Sequence, residues 1–290
     1  MKQLLVLLLA IINLSIPAKP QDNSTINYGN NEAAGAYKKV NGINMYYEIY
    51  GKGQPLILLH GNGGSIKGHK NRIIFFQQYF QIIAIDSRAH GKSIDSVSQS
   101  LSYDQMALDV KVLLDSLHID SAYIWGQSDG GILGLILAAR YPVKVKRLAT
   151  FGANAFPGKK AVEGELEDMV RDTLRATKDF QTRRLFELLA YQPHISNKEL
   201  QGISVPVLLM AGDRDVILPQ HSQMLADNIP HSNLFIMPGA THFGAYEKPD
   251  LFNKVLLDFF QQPFSDKSSV EVFTGNKNTN SSRAIKGKKK

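Results

Sequence analysis

The sequence predicts an α/β protein whose mostly parallel sheet is buried on both faces. Continuous apolar runs, such as Leu-Ile-Leu-Leu-His at 56–60 and Ile-Ile-Ala-Ile-Asp at 82–86, suit strands covered on two sides rather than one. Seven such runs are each bounded by turn residues, and most are separated by segments with helical spacing. The chain has 290 residues, 43% hydrophobic and 20% charged, enough for one large domain with a sizeable core.

At the amino terminus Lys2 precedes nine apolar residues (4–12), then Asn13 and a small-residue end at Pro17 and Ala18. That run is too short to span a bilayer, which needs about 20 residues, so residues 1–18 read as a secretory signal cleaved near Ala18. The mature protein is therefore expected to be periplasmic or secreted, with no stable membrane anchor after cleavage. Residues 19–36, rich in Asn, Gly and Ser or Thr, read as a flexible leader to a domain at 37–262. Strands are expected at 45–50, 55–60, 82–86, 122–126, 147–151, 205–211 and 234–237. Ser102 and Gln105 form a capping-box pair ahead of Met106, Val110, Leu113, Leu114 and Leu117 on one helical face. A second helix covers 132–141 and ends at Pro142, and a last one runs over 249–260. The block at about 154–200, with no convincing strand, reads as a helical lid insertion between two strands.

Cysteine is absent, which excludes disulfides, thiolate metal sites and a cysteine nucleophile, and suits an oxidising compartment. The net charge of +7 is concentrated at one end. From Gln262 onward seven basic residues stand against two acidic ones, leaving +2 for the rest. The Ser-, Asn-, Gly- and Lys-rich tail at 263–290 cannot bury much apolar surface, so it is expected to be disordered and solvated. Without interleaved aromatics or a folded basic face, no nucleic-acid partner is expected.

Chemistry enters at Gly126-Gln127-Ser128-Asp129-Gly130, a G-x-S-x-G run after an expected strand and before an expected helix. A nucleophile on so sharp a turn is held in a strained backbone that lifts its hydroxyl out of the sheet, and the positions two before and two after must be small. Serine is a poor nucleophile near neutral pH, so it needs a base, and the base needs a partner that fixes its tautomer. The run at 205–211 empties into Asp213 and Asp215, and the run at 234–237 empties into the loop ending at His242. Asp215 is preferred over Asp213, being further from the strand end, where a loop can turn it toward His242. The other seven histidines lack this position or any metal-ligand spacing, so no metal is assigned, and His221 and His231 read as surface residues. The backbone N–H groups of Asn62, in His-Gly-Asn-Gly-Gly, and of Asp129 are the expected oxyanion donors. That glycine-rich loop is not a phosphate cradle, since no Gly-Lys-Ser/Thr follows.

Over about 37–260 the chain resembles the α/β-hydrolase superfamily, through HGNGG, DSRAHGKS, GQSDGG, GDRD and GATH. The resemblance implies an eight-stranded, mostly parallel sheet flanked by helices. The block GQSDGGILGLILAARYP, followed by FGANAF, is similar to valacyclovirase-like (biphenyl hydrolase-like) serine esterases. Ala89 departs from the glycine usual at its position, a difference of loop shape more than of chemistry.

A carboxylate at Asp129, about 6 Å from an oxyanion, opposes its formation by roughly 2 to 3 kcal/mol at an effective dielectric near 20. The resemblance implies that such an acid receives the α-ammonium group of an amino-acid ester; pairing with Arg88 or a lysine, or turning to solvent, are the alternatives. The expected protein is a carboxylic ester hydrolase without a cofactor, acting on a small-molecule ester. Phe156, Met169, Leu174 and Phe186 are expected either to line its pocket or to pack the lid on the body. Hydrolysis of a carbon–carbon bond in a diketone-like acid uses the same three side chains and stays open. A binding protein on a retired hydrolase fold stays open as well. Dehalogenase and epoxide hydrolase chemistry, which needs an aspartate nucleophile, is excluded by Ser128.

Overall fold

The computed structural model describes residues 26–96, 99–267 and 269–275. The expected signal segment and most of the basic tail lie outside them. Eight strands form one sheet: β1 (Gly35–Val40), β2 (Ile43–Tyr50), β3 (Pro55–Leu59), β4 (Gln81–Ile85), β5 (Ala122–Gln127), β6 (Val145–Phe151), β7 (Val207–Arg214) and β8 (Ser232–Thr241). Their order is β1-β2-β4-β3-β5-β6-β7-β8, and only β2 runs against the rest.

Successive side chains along the central strands alternate between two apolar cores. Ile57 and Leu59 of β3 and Ile83 and Ile85 of β4 face one core, packed by α2 (Tyr103–Ser116) and α3 (Asp129–Arg140). Leu56, Leu58, Ile82 and Ala84 face the other, packed by α1 (Lys70–Phe76) and α9 (Pro249–Gln261). Two-sided burial is why these runs are uniformly apolar. On α9, Phe252, Leu256 and Phe260 recur at the four-residue spacing that places them on one face, and Phe260 stacks on Tyr123 at 4.9 Å between centroids. Each such side chain contributes about 1.5 to 3 kcal/mol of burial free energy.

Between β6 and β7 the chain leaves the sheet for α4 (Gly164–Ala176), α5 (Phe180–Tyr191) and α6 (Asn197–Gln201). Val170, Leu174 and Ala190 form a small core of their own between α4 and α5. α5 is tied to the body by a buried network of balanced charge. Arg184 donates to the Asp95 backbone oxygen at 2.8 Å and lies 3.6 Å from its carboxylate; Arg88 joins Asp95 at 3.2 Å and Asp109 at 2.7 Å. After β7 come α7 (Pro219–Asn228), then β8, α8 (Gly244–Glu247) and α9.

Residues 26–36, expected as part of a loose leader, are docked instead. The fully buried Glu48 carboxylate accepts the N–H groups of Gly29 and Asn31, at 2.9 Å each, and the hydroxyls of Tyr46 and Tyr50, at 2.8 Å each. Tyr28 is buried against Tyr50, and β1 begins at Gly35 as an edge strand. A buried carboxylate needs donors, and the leader supplies two of them. Inside the expected disordered tail, Ser269–Thr274 forms a short helix, α10, with Val272 and Phe273 exposed. This is the one stretch of the tail where apolar residues recur. Ala89 holds a left-handed φ of +62°, a strain of roughly 1 to 2 kcal/mol that glycine would not carry. No helix among the described residues is long and apolar enough to cross a membrane.

Removing one member of the buried charge network should be costly, because it strands a charge in the interior. Asp109→Ala is expected to destabilise the fold by about 3 to 5 kcal/mol. A drop in the urea midpoint with an unchanged slope checks it.

Candidate active site

The sharp corner at Ser128 has the geometry that its neighbours dictate. Ser128 joins β5 to α3 with φ +52° and ψ −118°, a conformation that costs on the order of 1 to 3 kcal/mol and is held from both sides. Its N–H donates to the Phe151 carbonyl at 2.8 Å, and its own carbonyl accepts from Ile132 at 3.0 Å. A Cβ on Gly126 would strike the Gly130 carbonyl, and one on Gly130 would strike the Leu59 carbonyl. Both glycines are therefore required by close backbone approach.

His242 sits just past β8, and Asp215 just past β7. His242 Nδ1–H donates to Asp215 Oδ1 at 2.7 Å, leaving Nε2 with its lone pair. Asp215 is itself fixed, accepting the N–H of Ile217 on Oδ1 at 3.0 Å and that of Gly212 on Oδ2 at 3.2 Å. Gln127, the residue before Ser128, donates its side-chain amide to the His242 carbonyl at 2.7 Å. Gly152, at φ +64°, leaves room for the imidazole, since a Cβ there would lie 2.5 Å from two ring atoms. Asp213, the acid not preferred, is exposed and accepts the N–H groups of Gly239 (2.8 Å) and Ala240 (3.1 Å), which hold its carboxyl below the usual range. It braces the turn that leads to His242.

Ser128 and His242 line one cavity of about 830 Å³ under the lid, together with Asn62 and Asp129. The backbone N–H groups of Asn62 and Asp129 have no hydrogen-bond acceptor among the described residues. The loop before Asn62 is shaped by His60, whose Nδ1–H donates to Gly61 O (2.8 Å) and whose Nε2 accepts from Ser87 (3.0 Å). Burial lowers the pKa of His60 to about 3, so the ring is neutral and structural.

Asp129 is 2% exposed, and none of the alternatives weighed for it holds: Arg88 is spent on Asp95 and Asp109, and the carboxylate makes no ion pair among the described residues. Its Oδ2 accepts the Asn62 side-chain amide at 3.0 Å, while Oδ1 is buried without a partner. Burial raises its pKa, against smaller opposing effects from Asn62, Tyr103, His90 and His242. The same Asn62 amide donates to the Leu185 carbonyl of α5 at 3.2 Å, joining lid, oxyanion loop and Asp129.

Four expectations about the surroundings are corrected. Phe156 does not line the cavity but stacks edge-on against His221, at 4.6 Å between centroids, and packs on the core. Of the other expected lining residues, Phe186 is in place, Met169 is exposed, and Leu174 is inside the lid core. His221 is not a surface residue: it is 2% exposed, and its Nε2 accepts the Ala155 N–H at 3.0 Å. It is needed there because the chain turning off β6 leaves a buried N–H to satisfy. The sequence reading missed Tyr103, Gln127 and Glu167. Glu167 was findable, since it shares a helical face with Val170 and Leu174 and so had to point inward.

The chain has the α/β-hydrolase fold, and the proteins it is similar to are hydrolases of that fold. The family model described as alpha/beta hydrolase fold matches residues 54–191. The chain is 27% identical to a protein of Stutzerimonas stutzeri named as a carbamate hydrolase, RutD, over 74% of this chain and 96% of that one. It is 26% identical to mouse serine hydrolase BPHL, over 77% and 84% respectively. The crystal structure of the enol-lactonase from Burkholderia xenovorans superposes with a TM-score of 0.67 at 24% identity, over 78% of this chain and 99% of that one. The names differ in the bond cleaved, so the substrate has to be argued from the cavity.

His221 has its pKa lowered by burial from 6.5 to about 4, and His60 is lower still. A histidine depressed in the fold takes up its proton first in the unfolded chain. Stability is therefore full above pH 6.5 and is lost as pH falls, by about 1.4 kcal/mol per pH unit for each group. Urea midpoints measured from pH 7 to 5 should fall accordingly, with a shallower fall in His221→Gln.

Proposed function

We propose that this chain is a serine hydrolase of small carboxylic esters, with a preference for α-amino esters, working through an acyl-enzyme. The observation that carries it is the 2.7 Å Asp215–His242 hydrogen bond at the rim of the cavity that holds the strained Ser128. Ser128 Oγ attacks the ester carbonyl carbon while His242 Nε2 takes its proton. The tetrahedral oxyanion is received by the N–H groups of Asn62 and Asp129. As it collapses, the alcohol leaves with the proton from His242, and water then releases the acid by the same steps. Asp215 fixes the imidazole tautomer and stabilises the imidazolium.

Charge in the cavity selects among substrates. Asp129 and Glu167 line it, Glu167 being paired with Arg171 at 2.6 Å, and among the described residues no lysine or arginine lines it. A diketone-like acid would bring its carboxylate beside Asp129, with no lysine or arginine on the lining to receive it. This disfavours carbon–carbon bond hydrolysis. An α-ammonium group, by contrast, offsets the repulsion of about 2 to 3 kcal/mol between Asp129 and the oxyanion. We read the enzyme as exported, on the strength of the apolar run at 4–12 and the cysteine-free composition.

A fluorophosphonate probe is expected to label the protein but not Ser128→Ala; a wild-type chain that stays unlabelled is a binding protein, not an enzyme. Asp215→Asn should lower kcat by about 10⁴-fold, the scale for a lost tautomer-fixing acid, with Asp213→Asn far milder. Asp129→Asn should reduce the ratio of aminoacyl to plain acyl ester turnover. In the wild type that ratio should rise with pH on the acid side, as the raised Asp129 carboxyl ionises. An Asp129→Asn ratio equal to wild type refutes the ammonium role.

A further inference from the structure

Tyr103 opens α2 and lines the same cavity as Asp129. Its position is set from both sides. Ser102 caps the helix, and the Tyr103 N–H donates to Gln192 Oε1 at 3.2 Å, where Gln192 ends the lid helix α5 and returns its amide to the Leu101 carbonyl at 2.9 Å. The phenol is therefore held between body and lid. It is 1% exposed, yet its hydroxyl has no well-formed hydrogen bond, and neither does Asp129 Oδ1. The phenol lies within hydrogen-bonding reach of the Asp129 carboxylate, but the bond between them is poorly aligned. A phenol that reaches a buried carboxylate at poor geometry still has its own oxygen lone pairs unused, and a ligand that brings donors can take them.

The donor type follows from what is already occupied. Asn62 fills Asp129 Oδ2, so Oδ1 is the lone acceptor left on the carboxylate. Burial and Asp129 hold the phenol pKa well above 10, so Tyr103 keeps its proton and offers oxygen lone pairs. The groups facing Asp129 are Asn62 from the oxyanion loop, Tyr103 from α2, His90 from the loop after β4 and His242 from the loop after β8. None is a lysine or arginine, so the positive charge that matches this pair is not supplied by these groups.

We propose that the Tyr103 hydroxyl is the second acceptor of a cation subsite, taking one N–H of a substrate α-ammonium while Asp129 Oδ1 takes another. The proposal rests on the reading of Asp129 given above and narrows it to esters of primary α-amines. A primary ammonium has enough N–H groups for both oxygens. An N,N-dimethylated one has a single N–H and satisfies only one.

The test compares L-alanine benzyl ester with benzyl isobutyrate, in which a methyl replaces the ammonium, and with N,N-dimethyl-L-alanine benzyl ester. In Tyr103→Phe the kcat/KM ratio of alanine ester to isobutyrate is expected to fall by about tenfold, the order for one hydrogen bond to a charged group, mostly through KM. The gap between primary and dimethylated esters should narrow in the same variant. Asp129→Asn separates the two claims. If that variant keeps the wild-type ratio, the reading of Asp129 fails, and the subsite with it. If it loses the ratio while Tyr103→Phe keeps both the ratio and the dimethyl gap, only the Tyr103 role is overturned. Equal losses on all three esters in Tyr103→Phe mean a structural role and also overturn it. Fluorophosphonate labelling reports whether the variant is folded. Should it not fold, the wild type decides: equal turnover of primary and dimethylated esters refutes a two-acceptor site.

Discussion

Everything at this site depends on one backbone torsion. Ser128 is held at a positive φ that an L-residue avoids, because β5 must end and α3 must begin within a single residue. The turn closes only if nothing projects from Gly126 toward Gly130 or from Gly130 toward Leu59. The strain is sustained by the sheet: β3 and β5 are buried on both faces, and the two apolar cores leave the corner no freedom to relax. The same parallel strands deliver Asp215 and His242 to the edge where Ser128 stands, and Ser128 and His242 line one cavity there.

Around that corner the cost of burying charge is distributed rather than avoided. Arg88 and Arg184 are balanced by Asp95 and Asp109, Glu48 by four donors, and Asp213 by the amides of the turn it braces. Asp129 is less completely matched: beside the nucleophile, it has one oxygen satisfied and one without a well-formed bond. Folding tolerates such a group where function requires it, and elsewhere in the cavity wall apolar lid residues such as Leu185 and Phe186 take over.

Much of this was legible in the sequence because it rests on local rules. Two-sided strands read as unbroken apolar runs, and G-x-S-x-G between a strand and a helix reads as a strained corner. The loops after β7 and β8 were found because the acid and the imidazole had to follow strands in that order. What escaped depends on tertiary contacts. β1 carries two lysines on an exposed edge and gives no burial signal. Residues 26–36 look like a loose leader until Glu48, on the neighbouring strand, is seen to need their N–H groups. His221 packs edge-on against Phe156 and accepts the Ala155 amide, a pairing that spacing cannot reveal. Tyr103 was hidden by its cap: Ser102 announced the helix, but nothing local says which way its first side chain turns.

The link between Arg184 and Asp95 bears on how the roof behaves. To lift α5 away from the body would uncover a guanidinium and a carboxylate that now neutralise each other in the dry interior, and would break the Asn62 amide from Leu185 as well. The helices over the cavity are thus riveted masonry rather than a swinging door, and traffic of molecules in and out is left to the rim where Phe243 and Tyr246 stand in water.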